Sequence, residues 1–255
     1  MKIVYGPIAS WRLGRSLGCD LTCHEGKICS FDCIYCQLEK IENITAQKDT
    51  FIAMDRLRNE LSDALTRTTP DVITFSGMGE PTLANNMDEA IRTIRELSSL
   101  PIAILTNSSL FFDKDVRKNL RQLDIIVAKL DAPNPELFQT INRPAQGITF
   151  EQTLEGIKSL RNEFDGKFAL QMMFITENKD AAAQLATIAT EIHPDEVQIN
   201  TPLRFCRVPP LSKHALDEIE QQFAGLNMIS VYRTPKPKTT PLDMGELIKR
   251  SRMEP

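Results

Sequence analysis

Asp71-Val-Ile-Thr-Phe-Ser76, followed at once by Gly77-Met-Gly-Glu80, is the stretch that defines the fold class. Its apolar run is nearly continuous, which is typical of a strand buried on both faces. Similar runs follow at residues 101–106, 124–130, 168–175 and 196–200, and an earlier strand is predicted at 15–21. Strands buried on both faces occur mainly in parallel sheets, so we predict a parallel arrangement.

Amphipathic helical patterns separate these runs. Apolar residues recur three and four positions apart in several of the intervals, at Leu57, Leu61, Ala64 and Leu65, at Ile91, Ile94 and Leu97, and at Leu185, Ile188, Ala189 and Ile192. Thr149 with Gln152 predicts a capping box, and Ser212 predicts the N-cap of a later helix. Alternating strands and helices predict either an open doubly wound sheet or a barrel, and periodicity alone does not choose between them.

Length and composition indicate one α/β domain. The chain has 255 residues, of which 42% are hydrophobic and 25% charged, values that exclude a disordered or a disulfide-stapled protein. The net charge of −4 excludes a broad electrostatic surface for nucleic acid, so any RNA contact would be local. We predict a core domain at 1–232 and a partly extended, proline-containing basic tail at 233–255. This tail contains six Lys/Arg and three Asp/Glu.

The cysteines are concentrated in one segment. No run of about 20 apolar residues and no signal-peptide pattern is present, which predicts a cytoplasmic protein with no membrane contact. In a reducing compartment, clustered cysteines more often bind metal than form disulfides. Five of the six cysteines lie between Cys19 and Cys36, and the sixth is Cys206. If Cys19 lies within the first strand, we expect it to be a buried small apolar residue.

Cys29-Ser-Phe-Asp-Cys33-Ile-Tyr-Cys36 places three thiols at spacings of four and three. One loop with this spacing can wrap around a small inorganic core. Three thiolates leave one iron of a [4Fe–4S] cluster without a protein ligand, and such an open position can bind a substrate. The alternative is a structural zinc site, in which Cys19, Cys23 or His24 supplies the fourth ligand.

The cysteine segment resembles the radical S-adenosylmethionine (SAM) enzymes, whose three cysteines are separated by three and two residues, with an aromatic residue before the last. Tyr35 occupies the aromatic place. Ser76-Gly-Met-Gly-Glu-Pro-Thr-Leu83 resembles their glycine-glycine-glutamate motif, with Met78 in place of the first glycine. Further segments are similar to the wybutosine-synthesis-like iron–sulfur oxidoreductases over about residues 1–230, namely Tyr5-Gly-Pro, Arg12-Leu-Gly-Arg-Ser-Leu-Gly18, Cys33-Ile-Tyr-Cys-Gln-Leu38, Lys129-Leu-Asp-Ala132 and Gln198-Ile-Asn-Thr-Pro-Leu-Arg204.

The resemblance implies a partial (β/α)6 TIM-like barrel with the cluster on the loop after the first strand. It implies an oxygen-sensitive enzyme that cleaves SAM reductively to a 5′-deoxyadenosyl radical, with Cys29, Cys33 and Cys36 as cluster ligands. Met78 to Glu80 would hold the methionine amino group, Asp131 and Lys129 would meet the ribose or carboxylate, and Tyr35, Met173 and Asn200 would border the adenine. The full set of implied cofactor residues is Tyr35, Gly77, Met78, Gly79, Glu80, Asn107, Lys129, Asp131, Met173 and Asn200.

The substrate and the partners stay open. The resemblance allows a tRNA base, a protein glycine as in glycyl-radical-enzyme activases, or a small metabolite, and it implies an external one-electron reductant such as flavodoxin or ferredoxin. Arg12, Arg143, Arg204 and Arg207 either bind a phosphate or carboxylate or form structural pairs. Cys23 and Cys206 either ligate a second cluster, act as thiols in turnover, or have no role. Two other classes of protein remain as alternatives, a zinc-based interaction module and an electron carrier.

Overall fold

A computed structural model describes residues 1–24, 26–38 and 44–250. Its strands form one sheet in chain order. They are β1 (Val4–Ser10), β2 (Gly14–Cys19), β3 (Val72–Phe75), β4 (Ile102–Thr106), β5 (Ile125–Lys129), β6 (Lys167–Met173), β7 (Glu196–Asn200) and β8 (Met228–Ser230). β1 pairs antiparallel with β2, and each later neighbour pair is parallel.

Helices follow the parallel strands in regular alternation. They are α1 (Met54–Arg67), α2 (Met87–Leu97), α3 (Lys114–Leu120), α4 (Pro135–Asn142), α5 (Phe150–Glu163), α6 (Ala182–Ile192), α7 (Lys213–Gln221) and α8 (Met244–Lys249). From β2 to β7, each strand is followed by at least one helix before the next strand, which gives six β/α units. The predicted partial (β/α)6 barrel is confirmed: β1 and β8 stand at the two edges of a curled, open sheet.

Side-chain alternation along the strands gives the sheet two unlike faces. Residues of one parity, such as Leu17, Phe75 and Ile104, are fully buried in the hydrophobic core. Residues of the other parity include polar side chains such as Ser16 and Gln171, which line a cavity on the concave face. Because successive strand residues point to opposite faces, each strand contributes to the core and to the cavity. The concave face therefore encloses a cavity lined by polar as well as apolar side chains, whereas the other face packs in the apolar core.

Several details of the sequence interpretation are confirmed and others needed the tertiary structure. Thr149 accepts a hydrogen bond from Gln152 N in the predicted capping box, and Ser212 caps α7. Cys19 lies in β2 with no exposed surface, as expected. The edge strands β1 and β8 were not predicted, because β1 contains Gly and Pro and β8 has only three residues. These two segments are strands because they pair with a neighbouring strand, and their local sequence pattern does not predict it.

The described part of the C-terminal tail packs against the beginning of the chain. Leu242 N donates to Gly6 O at 2.6 Å, and Lys2 N donates to Glu246 at 2.9 Å. Arg250 is buried and forms an ion pair with Asp20. The backbone between Arg233 and Leu242 contains no helix or strand and α8 follows it, whereas residues 251–255 of the predicted tail lie outside the described residues. None of the described helices is long and apolar enough to cross a membrane.

Candidate functional site

The cysteine loop, residues 26–38, follows β2 and is held on one side by the Gly77-Met-Gly-Glu80 segment. Ile28 N donates to Met78 O at 3.2 Å and Glu80 N donates to Ile28 O at 2.9 Å, which makes a parallel bridge between Ile28 and Gly79. A Cβ atom on Gly79 would lie 1.6 Å from Ile28 O. This close backbone approach requires glycine. The predicted glycine motif thus supports the cysteine loop directly.

The C-terminal end of α4 and the segment after it hold the other side of the loop. Asp32 N donates to Arg143 O at 3.2 Å, Ile34 N to Ile141 O at 2.9 Å, and Ala145 N to Ser30 O at 2.8 Å. The ring of Phe31 also packs edge-on against Phe138 of α4, with 5.3 Å between centroids. Backbone pairing on both sides holds the cysteine loop between these two segments.

All three thiols line one cavity of about 410 Å³ on the concave face. Asn107 Nδ2 donates to Cys29 Sγ at 3.5 Å, and Asn142 Nδ2 donates to Cys33 Sγ at 3.6 Å. Burial raises the pKa of Cys29 to about 12 and also raises the pKa of Cys33. Burial therefore favours the neutral thiol at these two positions, and a metal that binds there must displace the thiol protons.

The residues considered as a fourth zinc ligand lie elsewhere. Cys19 belongs to the core side of β2, and Cys23 Sγ lies 3.4 Å from Lys2 O. His24 is exposed and accepts a hydrogen bond from Gly26 N. None of these three side chains lines the cavity. The donor set at the cavity is three thiols on one loop, which fits a [4Fe–4S] cluster that keeps one iron free of protein ligands.

The Gly77-Met-Gly-Glu80 segment reaches the cavity through its glycines and its glutamate. The side chain of Met78 is 1% exposed and does not line the cavity. Met78 N donates to Asp20 Oδ2 at 3.1 Å, and its carbonyl accepts from Ile28. A methionine is tolerated in place of glycine here because its side chain points away from the cavity.

Glu80 joins two strand ends through its carboxylate. Oε1 accepts from Thr82 N and Oγ1 at 3.1 and 2.7 Å, and from Thr106 Oγ1 at 2.6 Å. Oε2 accepts from Asn107 N at 2.7 Å. Burial raises the pKa of Glu80, although these hydrogen bonds oppose the shift. The side chain of Asn107 continues the network to Ser30 in the cysteine loop, at 2.9 Å.

Tyr35, Lys129 and Asp131 form a second polar cluster. Lys129 Nζ donates to Tyr35 OH at 3.1 Å, and the Tyr35 hydroxyl donates to Asp131. Asp131 is 2% exposed, and it also accepts from Asn142 Nδ2 at 3.0 Å and from Met173 N at 2.8 Å. Burial, with the Asp131 charge, raises the pKa of Tyr35 well above its usual value. Asp131 therefore supports the cavity wall from behind, whereas Tyr35 and Lys129 reach the cavity.

Most of the implied cofactor residues meet at this one cavity. Those that line it are Tyr35, Gly77, Gly79, Glu80, Asn107, Lys129, Met173 and Asn200. Met78 and Asp131 do not line it but hydrogen-bond to neighbours that shape it. Met173 and Asn200 are paired in register on β6 and β7. Parallel strands end at the same edge of the sheet, and this brings together residues that are far apart in sequence.

The sequence interpretation missed several cavity residues, including Lys27, Trp11 and Gln171. The Lys27 side chain is 4% exposed and lies 3.7 Å from Asp32 Oδ1. Burial lowers its pKa, but Cys36, Cys29 and Cys33 raise it more, so the pKa lies above the usual value. The only sequence signal for Lys27 is its position two residues before Cys29. For Gln171 the only signal is its position in β6, where alternate residues point to the same face of the sheet.

The remaining candidates divide between the cavity and its surroundings. Arg12 and Arg204 line the cavity, but Arg143 and Arg207 do not. Cys206 Sγ lies 3.1 Å from Val208 O and packs on the apolar cluster that contains Tyr35. Neither Cys206 nor Cys23 lines the cavity.

Comparison with known proteins agrees with this architecture. The family model described as "Radical SAM superfamily" matches residues 26–188. UPF0026 protein slr1464 of Synechocystis sp. is 42% identical over 209 residues, which cover 79% of this chain and 76% of the relative. Among solved structures, anSMEcpe with bound AdoMet has a TM-score of 0.62 at 15% identity, over 84% of this chain and 64% of that one.

A second solved structure, Streptococcus suis SuiB bound to precursor peptide SuiA, has a TM-score of 0.60 at 17% identity. The match covers 81% of this chain, which spans only 47% of the SuiB chain. At these identities the likeness to the solved structures concerns the fold.

Proposed function

This chain belongs to the radical SAM superfamily, an enzyme family that uses a [4Fe–4S] cluster and SAM, and we propose that Cys29, Cys33 and Cys36 hold the cluster. Held by these cysteines, the cluster would supply one-electron reductive cleavage of the SAM sulfonium, and through it the capacity to abstract hydrogen from a substrate. The observation that carries this proposal is the meeting of three thiols and eight implied cofactor residues at one cavity.

The cysteine loop positions the ligands and tunes their charge. Its backbone is paired on both sides, so the three sulfurs keep a fixed spacing. Asn107 and Asn142 donate to two of the sulfurs, and hydrogen bonds to sulfur are one determinant of cluster reduction potential. The buried positive charge of Lys27 offsets negative charge that the three thiolates gather.

The Gly77-Met-Gly-Glu80 segment is proposed to bind the methionine end of SAM. The backbone at Gly77 and Gly79 lines the cavity without side chains and leaves room for a ligand. Glu80 Oε2 accepts one hydrogen bond from the protein, so it keeps a lone pair for the SAM ammonium group. Met78 contributes as a positioning residue, through the hydrogen bond from its N–H to Asp20.

The Tyr35–Lys129–Asp131 cluster is proposed to bind the other end of SAM. Lys129 presents a cation to the ribose or carboxylate, and its ammonium lies 4.8 Å from the centroid of the Tyr35 ring. Tyr35, Met173 and Asn200 border the adenine. Asp131 is a positioning residue here, because its oxygens are occupied by Tyr35, Asn142 and the backbone of Met173.

Formation of 5′-deoxyadenosine tests the proposed function. Anaerobically reconstituted protein is incubated with dithionite and SAM, and the nucleoside is quantified by chromatography. We expect turnover from the wild type and none from Cys33→Ala, since the variant lacks one cluster ligand. Two results would contradict the proposal. One is zinc in place of iron in the purified protein, and the other is a cluster whose electron paramagnetic resonance spectrum does not change when SAM is added.

Cys206 supplies the matched control for the ligand assignment. Cys33→Ala is expected to abolish the visible absorbance of the [4Fe–4S] cluster, whereas Cys206→Ala is expected to retain it because Cys206 lies outside the cavity. Iron and sulfide analysis of both variants measures the same difference. Loss of the cluster in both would mean that the ligand set is wrong.

The finer assignments are also proposals. Radical SAM enzymes take their electron from an external reductant, and we propose flavodoxin or ferredoxin as the donor and the cytoplasm as the compartment. We also propose kinship with the wybutosine-synthesis-like branch. From that branch we carry over the cluster chemistry and not a tRNA substrate, because the net charge of −4 offers no general surface for RNA.

A further inference from the structure

The cavity carries a positive charge that the overall composition does not suggest. The cationic side chains that line it are Arg12, Lys27, Lys129, Arg204 and Lys236, and among the described lining residues Glu80 is the one carboxylate. Glu80 already accepts four hydrogen bonds from Thr82, Thr106 and Asn107. A chain with a net charge of −4 therefore concentrates cations around this cavity.

Two buried donors on the concave face have no acceptor among the described residues. Arg12, on the turn between β1 and β2, extends to β6, where Nη1 donates to Gln171 Oε1 at 3.1 Å. Arg12 Nε and Gln171 Nε2 are both buried without a hydrogen-bond partner. Gln171 is only 6% exposed and lines the cavity. A buried donor without an acceptor costs free energy, so these two donors are suited to receive one.

Arg204 brings a second guanidinium to the same cavity from the loop after β7. Its Nη1 donates to Gln37 Oε1 at 3.2 Å, which leaves its charge without a carboxylate partner among the described residues. Burial and then the Arg204 charge lower the pKa of Arg12 to about 10. Two cations that repel each other are stabilised when an anion binds between them.

We propose that Arg12, Gln171 and Arg204 form an anion subsite that binds the carboxylate or phosphate group of a small-molecule substrate. The subsite rests on the proposed function, because it shares the cavity with SAM. Guanidinium and amide N–H groups suit the planar oxygens of a carboxylate and the oxygens of a phosphate. Gln171 is paired in register with Lys129 and Gln198, so the anion would lie below the strand ends and close to the proposed SAM contacts.

The position of the subsite favours a small molecule over a macromolecule. Gln171 lies within β6 rather than on an exposed loop. The cavity of about 410 Å³ must also receive SAM. Ligand sites of this size enclose most of a small ligand and orient it with a few polar groups. The anion would hold one end of the substrate and direct the other end to the radical.

The single tryptophan of the chain reports on this subsite. Trp11 lines the cavity, and the guanidinium carbon of Arg12 lies 5.3 Å from its ring centroid. Anaerobic holoenzyme with SAM and no reductant is titrated with inorganic phosphate, and in a second arm with malonate, at constant ionic strength maintained with chloride. We expect a saturable change of Trp11 fluorescence, and the tighter arm identifies phosphate or carboxylate as the preferred group.

Two variants and one control test the residues. Gln171→Glu replaces the unpartnered amide N–H by a carboxylate, and Arg12→Gln removes the guanidinium. Either variant is expected to raise the dissociation constant of the anion about ten- to a hundredfold. The exposed Arg121, after α3, gives the matched control Arg121→Gln, which is expected to bind like the wild type. Far-ultraviolet circular dichroism checks each fold. If Arg12→Gln fails to fold, Gln171→Glu alone decides.

Three results would overturn the proposal. These are the absence of a saturable response to either anion, equal affinities in the wild type and in Gln171→Glu, and a response that is obtained only when SAM is left out of the titration. The last result would assign the subsite to the carboxylate of SAM itself. Because the titration needs no SAM cleavage, its failure is distinct from a failure to form 5′-deoxyadenosine.

Discussion

Gly79 carries a structural role at the scale of one residue, because the cysteine loop approaches its backbone. Gly77 is in a similar position, since a Cβ there would lie 2.1 Å from the carboxyl carbon of Asp20. Both glycines line the cavity while their neighbour Met78 is buried. Because Gly77 and Gly79 have no side chains, the Asp20 carboxylate and the cysteine loop can pack closely against this segment beside the cavity.

Substitution of Gly79 by alanine is expected to separate the cysteine loop from its support. The added methyl group would overlap Ile28 O, and overpacking of this kind costs about 1–3 kcal/mol of unfolding free energy. We expect Gly79→Ala to lower thermal stability and to reduce iron incorporation. Gly26→Ala, in the same loop, is the control, because the nearest atom to its Cβ lies 3.9 Å away. Equal iron content in the two variants would show that the bridge does not support the cluster.

At the scale of elements, the cysteine loop is held by several neighbouring segments. The Gly77-Met-Gly-Glu80 segment pairs with its backbone, and so do the C-terminal end of α4 and the segment after it. Ser30 bonds to Ser109 at 2.6 Å and to Asn107, both after β4. Asp113, the N-cap of α3, pairs with Lys48 Nζ at 2.6 Å. The N-terminus of α3 is thereby connected to the segment that precedes α1.

Asp113→Ala is expected to lower the unfolding free energy at neutral pH by about 1 kcal/mol, because it removes the cap of α3 and the partner of Lys48. Burial raises the pKa of Asp113, but the Lys48 and backbone hydrogen bonds lower it more, so the folded-state pKa lies below the usual value. The charge therefore stabilises above the unfolded pKa, and this contribution is lost as pH falls through the folded pKa.

Urea unfolding of Asp113→Ala at several pH values measures this dependence. The control is Asp113→Asn, which retains a capping side chain and loses the ion pair, so its deficit at neutral pH is expected to be smaller. A deficit of Asp113→Ala that grows as pH falls would contradict the sign of the predicted linkage.

At the scale of the whole molecule, the two ends of the described chain meet behind the candidate site. Arg250 is 6% exposed and forms an ion pair with Asp20, and its guanidinium lies 3.9 Å from the Tyr5 ring centroid. Asp20 also accepts from Thr22 N and Met78 N, both at 3.1 Å. The C-terminal segment is thereby connected to the Gly77-Met-Gly-Glu80 segment through one buried carboxylate.

Arg250→Met is expected to destabilise the fold by about 3–5 kcal/mol, because it leaves the buried carboxylate of Asp20 without its cation. Calorimetric unfolding measures the loss, and the double variant with Asp20→Asn is expected to recover part of it. Arg92→Met serves as the control, since its pair with Asp88 is exposed and is worth at most about 1 kcal/mol. Equal stability of Arg250→Met and Arg92→Met would contradict a structural role for this contact.

Local sequence determined the strand and helix alternation, the Thr149 and Ser212 caps, and the three cysteines with their glycine motif, because periodicity, capping and close ligand spacing are properties of neighbouring residues. Only the tertiary structure decided that β1 and β8 are strands and that Asp131 supports Tyr35 rather than lining the cavity. It also brought Arg12 to Gln171, which is 159 positions away in the chain. Contacts between residues so far apart in sequence depend on how the sheet curls. The local sequence pattern does not encode that curl.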